Sequence, residues 1–453
     1  MLFERFPCAP LAQSAYLLAD GDEAIVVDPR RDAEEVLEFA RRRELRIRHV
    51  VATHVHADFV AGLHEVAAAT GARIAMGERF DGPFACDRLA DGAELRFGEA
   101  AVHVIATPGH TIESICLLAT AHDPAVPPRL LSGDTLFVGD VGRPDLAQGT
   151  GQSPRAMAAM LHQSLHERLA PLADETEVWP AHGAGSACGG NIGGGACSTI
   201  GDELRCNWAL HEFDPERFAA RLVGALRPPP RYFAAVAAQN RAGPRLFASL
   251  PPLRELTVAA ALAARRGGAQ IVDVRSRFEH GEAHWPDATN LSLEGNFEPW
   301  AGSLLSSSQP LVIHAANEAD ARAAARRLRG IGFDELAGFV LALPDDAVRL
   351  PQIESTELFT HGLPQHWQVV DVRRPEEYAS GHVQGALHCE LGSEMPIERL
   401  AAFDRAQPTA VVCERGYRSS AASRQLLAAG FTDLHNVHDG MNGWRANNLP
   451  LEQ

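Results

Sequence analysis

One motif is written twice in this chain. Ile271-Val272-Asp273-Val274-Arg275 recurs as Val369-Val370-Asp371-Val372-Arg373, with Asp273 and Asp371 separated by 98 positions (371 − 273). The same offset pairs Glu279 with Glu377, His284 with His382, Gln309-Pro310 with Gln407-Pro408, and Gly332-Phe333 with Gly430-Phe431. A register held that long leaves no net insertion, so the sequence predicts two structural copies. Each is long enough for strands, helices and a core of its own, which makes them separate domains rather than a solenoid. Their expected spans are 253–345 and 353–453.

The preceding 250 residues alternate short apolar strands, such as Ala24–Val27, Ala101–Ile105 and Ser114–Leu118, with helical patterns over Asp32–Arg43 and Ser153–Leu169. That alternation predicts a layered α/β domain. It continues into a helix over Pro215–Leu226 and a Pro- and Arg-rich connector from Arg227 to Pro252. Three domains match the prior for 453 residues at about 150 per domain. A net charge of −17 argues against nucleic-acid and anionic-membrane partners, which select basic surfaces.

No apolar run approaches the roughly 20 residues of a membrane span. The N-terminal stretch, with Glu4, Arg5 and Pro7 before a run that ends in Asp20, predicts a β-hairpin rather than a signal peptide. Eight scattered cysteines without a CxxC pair predict reduced thiols in a cytoplasm rather than a disulfide framework. The apolar content leaves room for a homo-oligomer surface.

In the first domain, Thr53-His54-Val55-His56-Ala57-Asp58-Phe59 follows a predicted strand. Two imidazoles two residues apart share one side of an extended segment and can enter one pocket. His110 in Pro108-Gly109-His110-Thr111, Asp134 in Gly133-Asp134 and His182 in Pro180-Ala181-His182-Gly183 each follow a predicted strand as well. Imidazole nitrogen and carboxylate oxygen together suit a first-row transition metal. Phe59 stands where a two-metal hydrolase motif carries another histidine, and Phe ligates nothing. A single ion on two histidines and one carboxylate, with open positions, is the arrangement of non-haem Fe(II) oxygenases. Spacing alone does not say whether His54 or His56 binds.

In the last copy the strand Thr409–Val412 enters Cys413-Glu414-Arg415-Gly416-Tyr417-Arg418 and then a helix. Backbone N–H groups at such a junction face the loop centre and stabilise negative charge there. With Arg415 and Arg418 nearby, the Cys413 thiolate is favoured, and so is a persulfide anion on it. The 98-residue offset places Ala315 opposite Cys413 and Asp320 opposite Arg418, so the first copy lacks both nucleophile and cation.

The order of the histidine and aspartate motifs resembles the metallo-β-lactamase superfamily, whose fold is an αββα sandwich, and residues 1–250 are similar to its persulfide dioxygenases, which share a scaffold with glyoxalase II. Residues 353–450 resemble a rhodanese domain through the Asp-Val-Arg strand, Gly381-His382, the Cys413 loop with Gly416, and Gly440-Met441-Asn442-Gly443-Trp444. The middle copy resembles an inactive one. This likeness implies one Fe(II) on His56, His110 and Asp134, with O2 as co-substrate. His54, Asp58 and His182 then stand behind the ligands and orient them or the substrate. Arg143, in Gly142-Arg143-Pro144-Asp145, is implied to orient the thiol substrate, with a structural salt bridge as its alternative. The implied partners are a low-molecular-weight thiol persulfide and sulfite or thiosulfate.

Two other readings remain open at this stage: a zinc thioester hydrolase of glyoxalase II type, disfavoured by Phe59, and a non-enzymatic sulfur relay built on Cys413. The glycine-rich run from Gly183 to Gly201 holds Cys188 and Cys197 beside His182 and predicts a lid.

Overall fold

Strands with runs of apolar positions, rather than alternate ones, are covered on both faces, and the first domain places such runs at Ala24–Val27 and Ile115–Leu118. The computed structural model describes residues 1–453 apart from 124, 147–150, 361–362 and 364–366. Among the described residues the chain divides into two units, Met1–Leu250 with Arg329–Gly332, and Pro251–Leu328 with Phe333–Gln453.

In the first unit, β1 (Leu2–Cys8), β2 (Gln13–Asp20), β3 (Glu23–Val27), β4 (Arg46–Ala52), β5 (Arg73–Gly77) and β6 (Asp87–Leu89) form one sheet in that order, opening with the expected β1–β2 hairpin. The second sheet contains β7 (Glu94–Phe97), β8 (Ala100–Ala106), β9 (Ile115–Thr120), β10 (Arg129–Gly133), then β13 (Glu177–Pro180) and β14 (Ser198–Thr199). Between β10 and β13 the chain makes a small hairpin of β11 (Leu136–Phe137) and β12 (Asp140–Val141). Tyr16, Leu18, Ile25 and Val27 of one sheet meet Phe97, Val102, Leu117 and Leu131 of the other in a shared core. Their neighbours in sequence, Cys116 and Leu130, point the opposite way and pack with Leu161, Leu165 and Phe218 of the helices. The period-2 alternation of side chains thus serves two cores from one strand.

The helix Pro154–Gln163 starts at Ser153, whose side chain accepts from Ala156 N, with Pro at the first position. It runs into a π-helical stretch, Ser164–Leu169, where a continuous α-helix is predicted. The connector expected after Leu226 contains a helix, Tyr232–Ala242. Its apolar face buries Phe233 and Val236, which outweighs the prolines that flank it.

In the second unit the 98-residue register holds strand by strand. β15 (Gln270–Asp273), β16 (Thr289–Asn290), β17 (Leu311–His314) and β18 (Leu336–Val340) form a parallel sheet ordered β16-β15-β17-β18. β20 (Gln368–Asp371), β21 (Leu387–His388), β22 (Thr409–Val412) and β23 (Leu434–Val437) repeat that order, with β19 (Gln352–Ile353) added beside β23. Glu255 bridges Phe339 in the first copy as Ile353 pairs with Val437 in the second. No described helix is long and apolar enough to cross a membrane.

Candidate metal centre and cysteine loop

β8 and β10 both run antiparallel to β9, and β13 runs parallel to β10, so all three deliver their C-terminal ends to one edge. His110 follows β8, Asp134 follows β10 and His182 follows β13. β4 of the facing sheet delivers Thr53 to Phe59 to the same place. The approach is close: a Cβ on Gly133, which sits at φ +54°, would lie 2.6 Å from Thr53 Oγ1, and one on Gly142 would lie 1.9 Å from the Asp134 carbonyl oxygen. Glycine is the residue that fits both positions.

Hydrogen bonds assign the imidazole tautomers. The Arg143 carbonyl oxygen accepts from His110 Nδ1 at 2.8 Å, leaving Nε2 bare. Thr53 Oγ1 donates to Asp28 Oδ2 (2.8 Å) and therefore accepts from His54 Nδ1 (2.9 Å), leaving His54 Nε2 bare. His56 Nε2 donates to Asp28 Oδ1 at 3.0 Å, leaving Nδ1 bare. Nδ1 of His56 and Oδ2 of Asp134 are buried without a hydrogen-bond partner among the described residues. Buried polar atoms are otherwise satisfied, and lone pairs left free in this way fit a cation.

His54, His110 and Asp134 bring one ligand atom each within 4.8 Å of one another. Asp134 Oδ2 lies 3.5 Å from His110 Nε2 and 3.7 Å from His54 Nε2. His54 rather than His56 thus completes this buried trio, because the loop after β4 turns His54 toward Asp134 while Asp28 holds His56. The two rings are adjacent, with centroids 4.2 Å apart.

His182 lies between two carboxylates, 2.8 Å from Asp134 Oδ1 and 2.8 Å from Asp58 Oδ2. Burial opposes charge on each group, but the carboxylates outweigh it and raise the His182 pKa well above its ordinary value. For Asp134 burial is likewise outweighed, by His182, His54 and His110, and its carboxyl is held below the usual range. Burial, followed by the neighbouring His56, pushes His54 well below its ordinary value; burial also lowers His110 against the pull of Asp134. The centre therefore offers ionised oxygen and neutral nitrogen, the forms that ligate metals.

Phe59 is fully buried, with its ring 4.3 Å from that of His56. The Arg143 guanidinium bonds Asp145 through two nitrogens (2.6 and 2.8 Å), the Ala187 carbonyl (3.1 Å) and the Arg227 carbonyl (2.6 Å). These bonds tie three chain segments together. The glycine-rich run expected as a lid is tethered at Cys188, Gly190 and Asn191. The Cys188 carbonyl accepts from Arg143 N, and Asp140 Oδ2 accepts from Gly190 N and Asn191 N. Cys188 is buried beside Asp58 and His182, whereas Cys197 and Cys206 are exposed; all eight cysteines are free.

Sequence reasoning missed two residues here. Asp28 holds Thr53 and His56 from the end of β3, and its signal is Asp-Pro directly after an apolar strand. Asn240 donates to the His56 and Phe59 carbonyls (2.8 Å each) and accepts from Ala61 N (2.9 Å), so it clamps the loop that carries the histidines.

In the last copy, Cys413 ends β22 and is buried. Ser419 Oγ donates to its Sγ at 3.3 Å, and Gly416 is the left-handed N-cap (φ +77°) of the helix Tyr417–Ala428. Arg418 is paired with Glu377 at 2.6 and 2.7 Å, while Arg415 is exposed. In the first copy Ala315 is buried at the corresponding position, and Asp320 N donates to Asn317 Oδ1.

Residues 8–182 match the family described as the metallo-beta-lactamase superfamily, and residues 357–447 match the rhodanese-like domain. A solved metallo-beta-lactamase from Staphylococcus aureus aligns at 31% identity over 76% of this chain and 99% of its own, with a TM-score of 0.67. The human mitochondrial persulfide dioxygenase ETHE1 is 30% identical over 40% of this chain and 66% of its own length. A hydroxyacylglutathione hydrolase from Chromohalobacter salexigens is 34% identical over 36% of this chain and 57% of its own. Sheets, edge and donor set define a metallo-hydrolase fold joined to a cysteine-bearing α/β domain. The chain belongs to the metallo-β-lactamase superfamily and carries a rhodanese-like domain at its C-terminal end.

Proposed function

We propose that the protein is a non-haem Fe(II)- and O2-dependent persulfide dioxygenase joined to a sulfurtransferase. The observation that carries this reading is Phe59, buried against His56 where a further histidine ligand would favour a two-metal clamp. The proposed ligands are His56 through Nδ1, His110 through Nε2 and Asp134 through Oδ2. Each has an orienting partner behind it: Asp28 for His56, the Arg143 carbonyl for His110 and His182 for Asp134. His54 stands beside them as the competing nitrogen. When bound, the ion would supply open positions for a low-molecular-weight persulfide and O2, which with one water give sulfite, the parent thiol and protons. The chain's own part is to favour neutral His110 and an ionised Asp134 carboxylate.

Cys413 carries the second activity. Its thiolate attacks the outer sulfur of thiosulfate, the S–S bond breaks, sulfite leaves, and a Cys413 persulfide remains. A thiol acceptor takes that sulfur and restores the thiolate; the reverse sequence makes thiosulfate. The middle copy reads as a rhodanese-like domain that has lost this chemistry and braces its neighbour: Ser420 Oγ donates to Asn290 Oδ1 at 2.7 Å, directly behind the loop.

The test is metal content after anaerobic purification together with oxygen uptake and sulfur products on glutathione persulfide, for wild type, His56→Ala and Cys413→Ser. Iron with oxygen uptake, abolished in His56→Ala, supports the dioxygenase. Zinc without uptake overturns it in favour of thioester hydrolysis, the activity that the hydroxyacylglutathione hydrolase relative's name carries. Unchanged thiosulfate formation in His56→Ala, with no oxygen uptake in either protein, would leave only a sulfur relay.

A further inference from the structure

The loop that carries His54 and His56 leaves the cleft through Val60, a buried residue whose backbone is held on both sides. Its carbonyl accepts from Arg31 N at 2.8 Å, and its N–H donates to the Gly330 carbonyl at 2.8 Å. Gly330 ends the helix Glu318–Gly330 in the sequence of the middle copy, yet Arg329–Gly332 belongs structurally to the first unit. A helix leaves its last four carbonyls without partners of its own. The following turn takes two of them: Phe333 N donates to Leu328 O at 3.0 Å and Gly332 N to Arg329 O at 3.3 Å, with Gly332 at φ +89°. Arg329 O also accepts from Arg31 Nη1 at 3.2 Å, and Arg31 Nη2 donates to the Arg245 carbonyl at 2.5 Å. Arg31 is buried, three residues after Asp28, and a cation is favoured at a helix C-terminus.

The last copy ends its helix with the same turn. Gly430 N donates to Leu427 O and Phe431 N to Leu426 O, with Gly430 at φ +95°. Beyond the turn the two copies differ. A Cβ on Gly430 would meet only the Arg405 side chain, at 3.6 Å, whereas one on Gly332 would lie 3.0 Å from Val236 Cγ2 and from Gln239 Oε1. Val236 and Gln239 are on the helix Tyr232–Ala242, which also carries Asn240.

We propose that the turn Arg329–Gly332 is a positioning element of the metal centre, supplied by the copy that has lost its nucleophile. One peptide receives its effect. The carbonyl of Phe59 accepts from Asn240 Nδ2 at 2.8 Å, and the N–H of the same peptide, that of Val60, donates to Gly330 O. A peptide bonded at both polar groups cannot turn about its own axis, so the Phe59 ring keeps its place 4.3 Å from that of His56. Without the Gly330 carbonyl, the Val60 N–H would be buried without an acceptor and this peptide would turn to find one. The inference rests on the metal-binding reading of the loop, and holds whether the ion is iron or zinc.

The test uses the full chain, stripped by a chelator without oxygen and titrated with Co²⁺, and reads the affinity and the visible ligand-field band at saturation. Gly332→Ala must displace Val236 or Gln239 and shift the turn. It is expected to bind cobalt about 10-fold more weakly than wild type, the low end for groups behind a ligand, and to move the band. Gly430→Ala puts the same left-handed strain into the matching turn and is expected to leave both readings at their wild-type values. Should Gly332→Ala not fold, Arg31→Lys carries the test, because the fork that reaches two carbonyls becomes a single ammonium; the same two changes are expected. An unchanged affinity and band in the variant that folds, or an equal change in Gly430→Ala, overturns the positioning role. A wild type that takes no cobalt sinks the metal-centre reading itself, and this inference with it.

Discussion

The Arg143 backbone ties His110 to the loop that carries Cys188: its carbonyl accepts from His110 Nδ1 at 2.8 Å, and its N–H donates to the Cys188 carbonyl at 3.0 Å. The side chain secures that peptide through Asp145 and the carbonyls of Ala187 and Arg227. Replacing Arg143 by Ala releases the peptide and with it the ring orientation of His110. Metal affinity should fall about 10- to 100-fold, the range for partners behind a ligand. Metal titration checks this. An intact metal site with a raised KM for persulfide would instead return Arg143 to the substrate.

Asp28 supports both members of the His-x-His pair, His56 directly and His54 through Thr53. Asp28→Asn turns one acceptor oxygen into a donor facing either His56 Nε2 or Thr53. A loss of about 10- to 100-fold in metal affinity is expected, by the same orienting argument, with little change at Cys413. Comparing metal content in His54→Ala and His56→Ala then separates the two rings. Iron lost only with His56 supports the proposed ligand set; iron lost only with His54 moves the ligand two residues upstream, to the trio that the geometry already gathers.

What the sequence revealed and hid follows from separation along the chain. The repeat was readable because β15 to β18 and β20 to β23 keep one register, and His54, His56 and Asp58 were readable because they share a segment. Asp28 was not, since it meets Thr53 only where β3 pairs with β4, Val27 opposite Val51. Asn240 lay in a stretch whose prolines conceal a helix, and its targets are backbone carbonyls, which leave no side-chain signature. The placement of Cys188 depended on a glycine-rich loop, where no periodicity fixes direction. Arg143 was noticed, but its bonds to Asp145, Ala187 and Arg227 join segments far apart in sequence, which no local pattern announces.

Asn240 makes three buried hydrogen bonds to the His56–Ala61 loop. Asn240→Ala strands two carbonyls and one N–H, each worth about 1–3 kcal/mol when left unsatisfied. A destabilisation of about 2–4 kcal/mol is expected by denaturant unfolding, together with weaker metal binding because the loop that carries His54 and His56 is no longer clamped. Asn240→Asp keeps one acceptor for Ala61 N and loses both donors, so it should not restore the wild-type midpoint.

Glu377 and Arg418 give the rhodanese-like domain its own pH dependence. Burial raises the Glu377 carboxyl, but hydrogen bonds from Arg418 and from the backbone N–H of Arg374 outweigh it and bring the pKa down to about 2. A depressed carboxyl contributes stability above its unfolded value, 4.5, and loses it as pH falls toward the folded value. With the side chain 31% exposed, solvent screening limits the contribution to about 1 kcal/mol. Glu377→Gln should therefore melt below wild type at neutral pH, and the gap should narrow as pH drops under 4.5. The same variant frees Arg418, which lies five positions after Cys413 in the first turn of the helix that follows the Cys413 loop. If the pair fixes that cation for an anionic donor, KM for thiosulfate changes while the Cys413 persulfide still forms; an unchanged KM would confine the pair to stability.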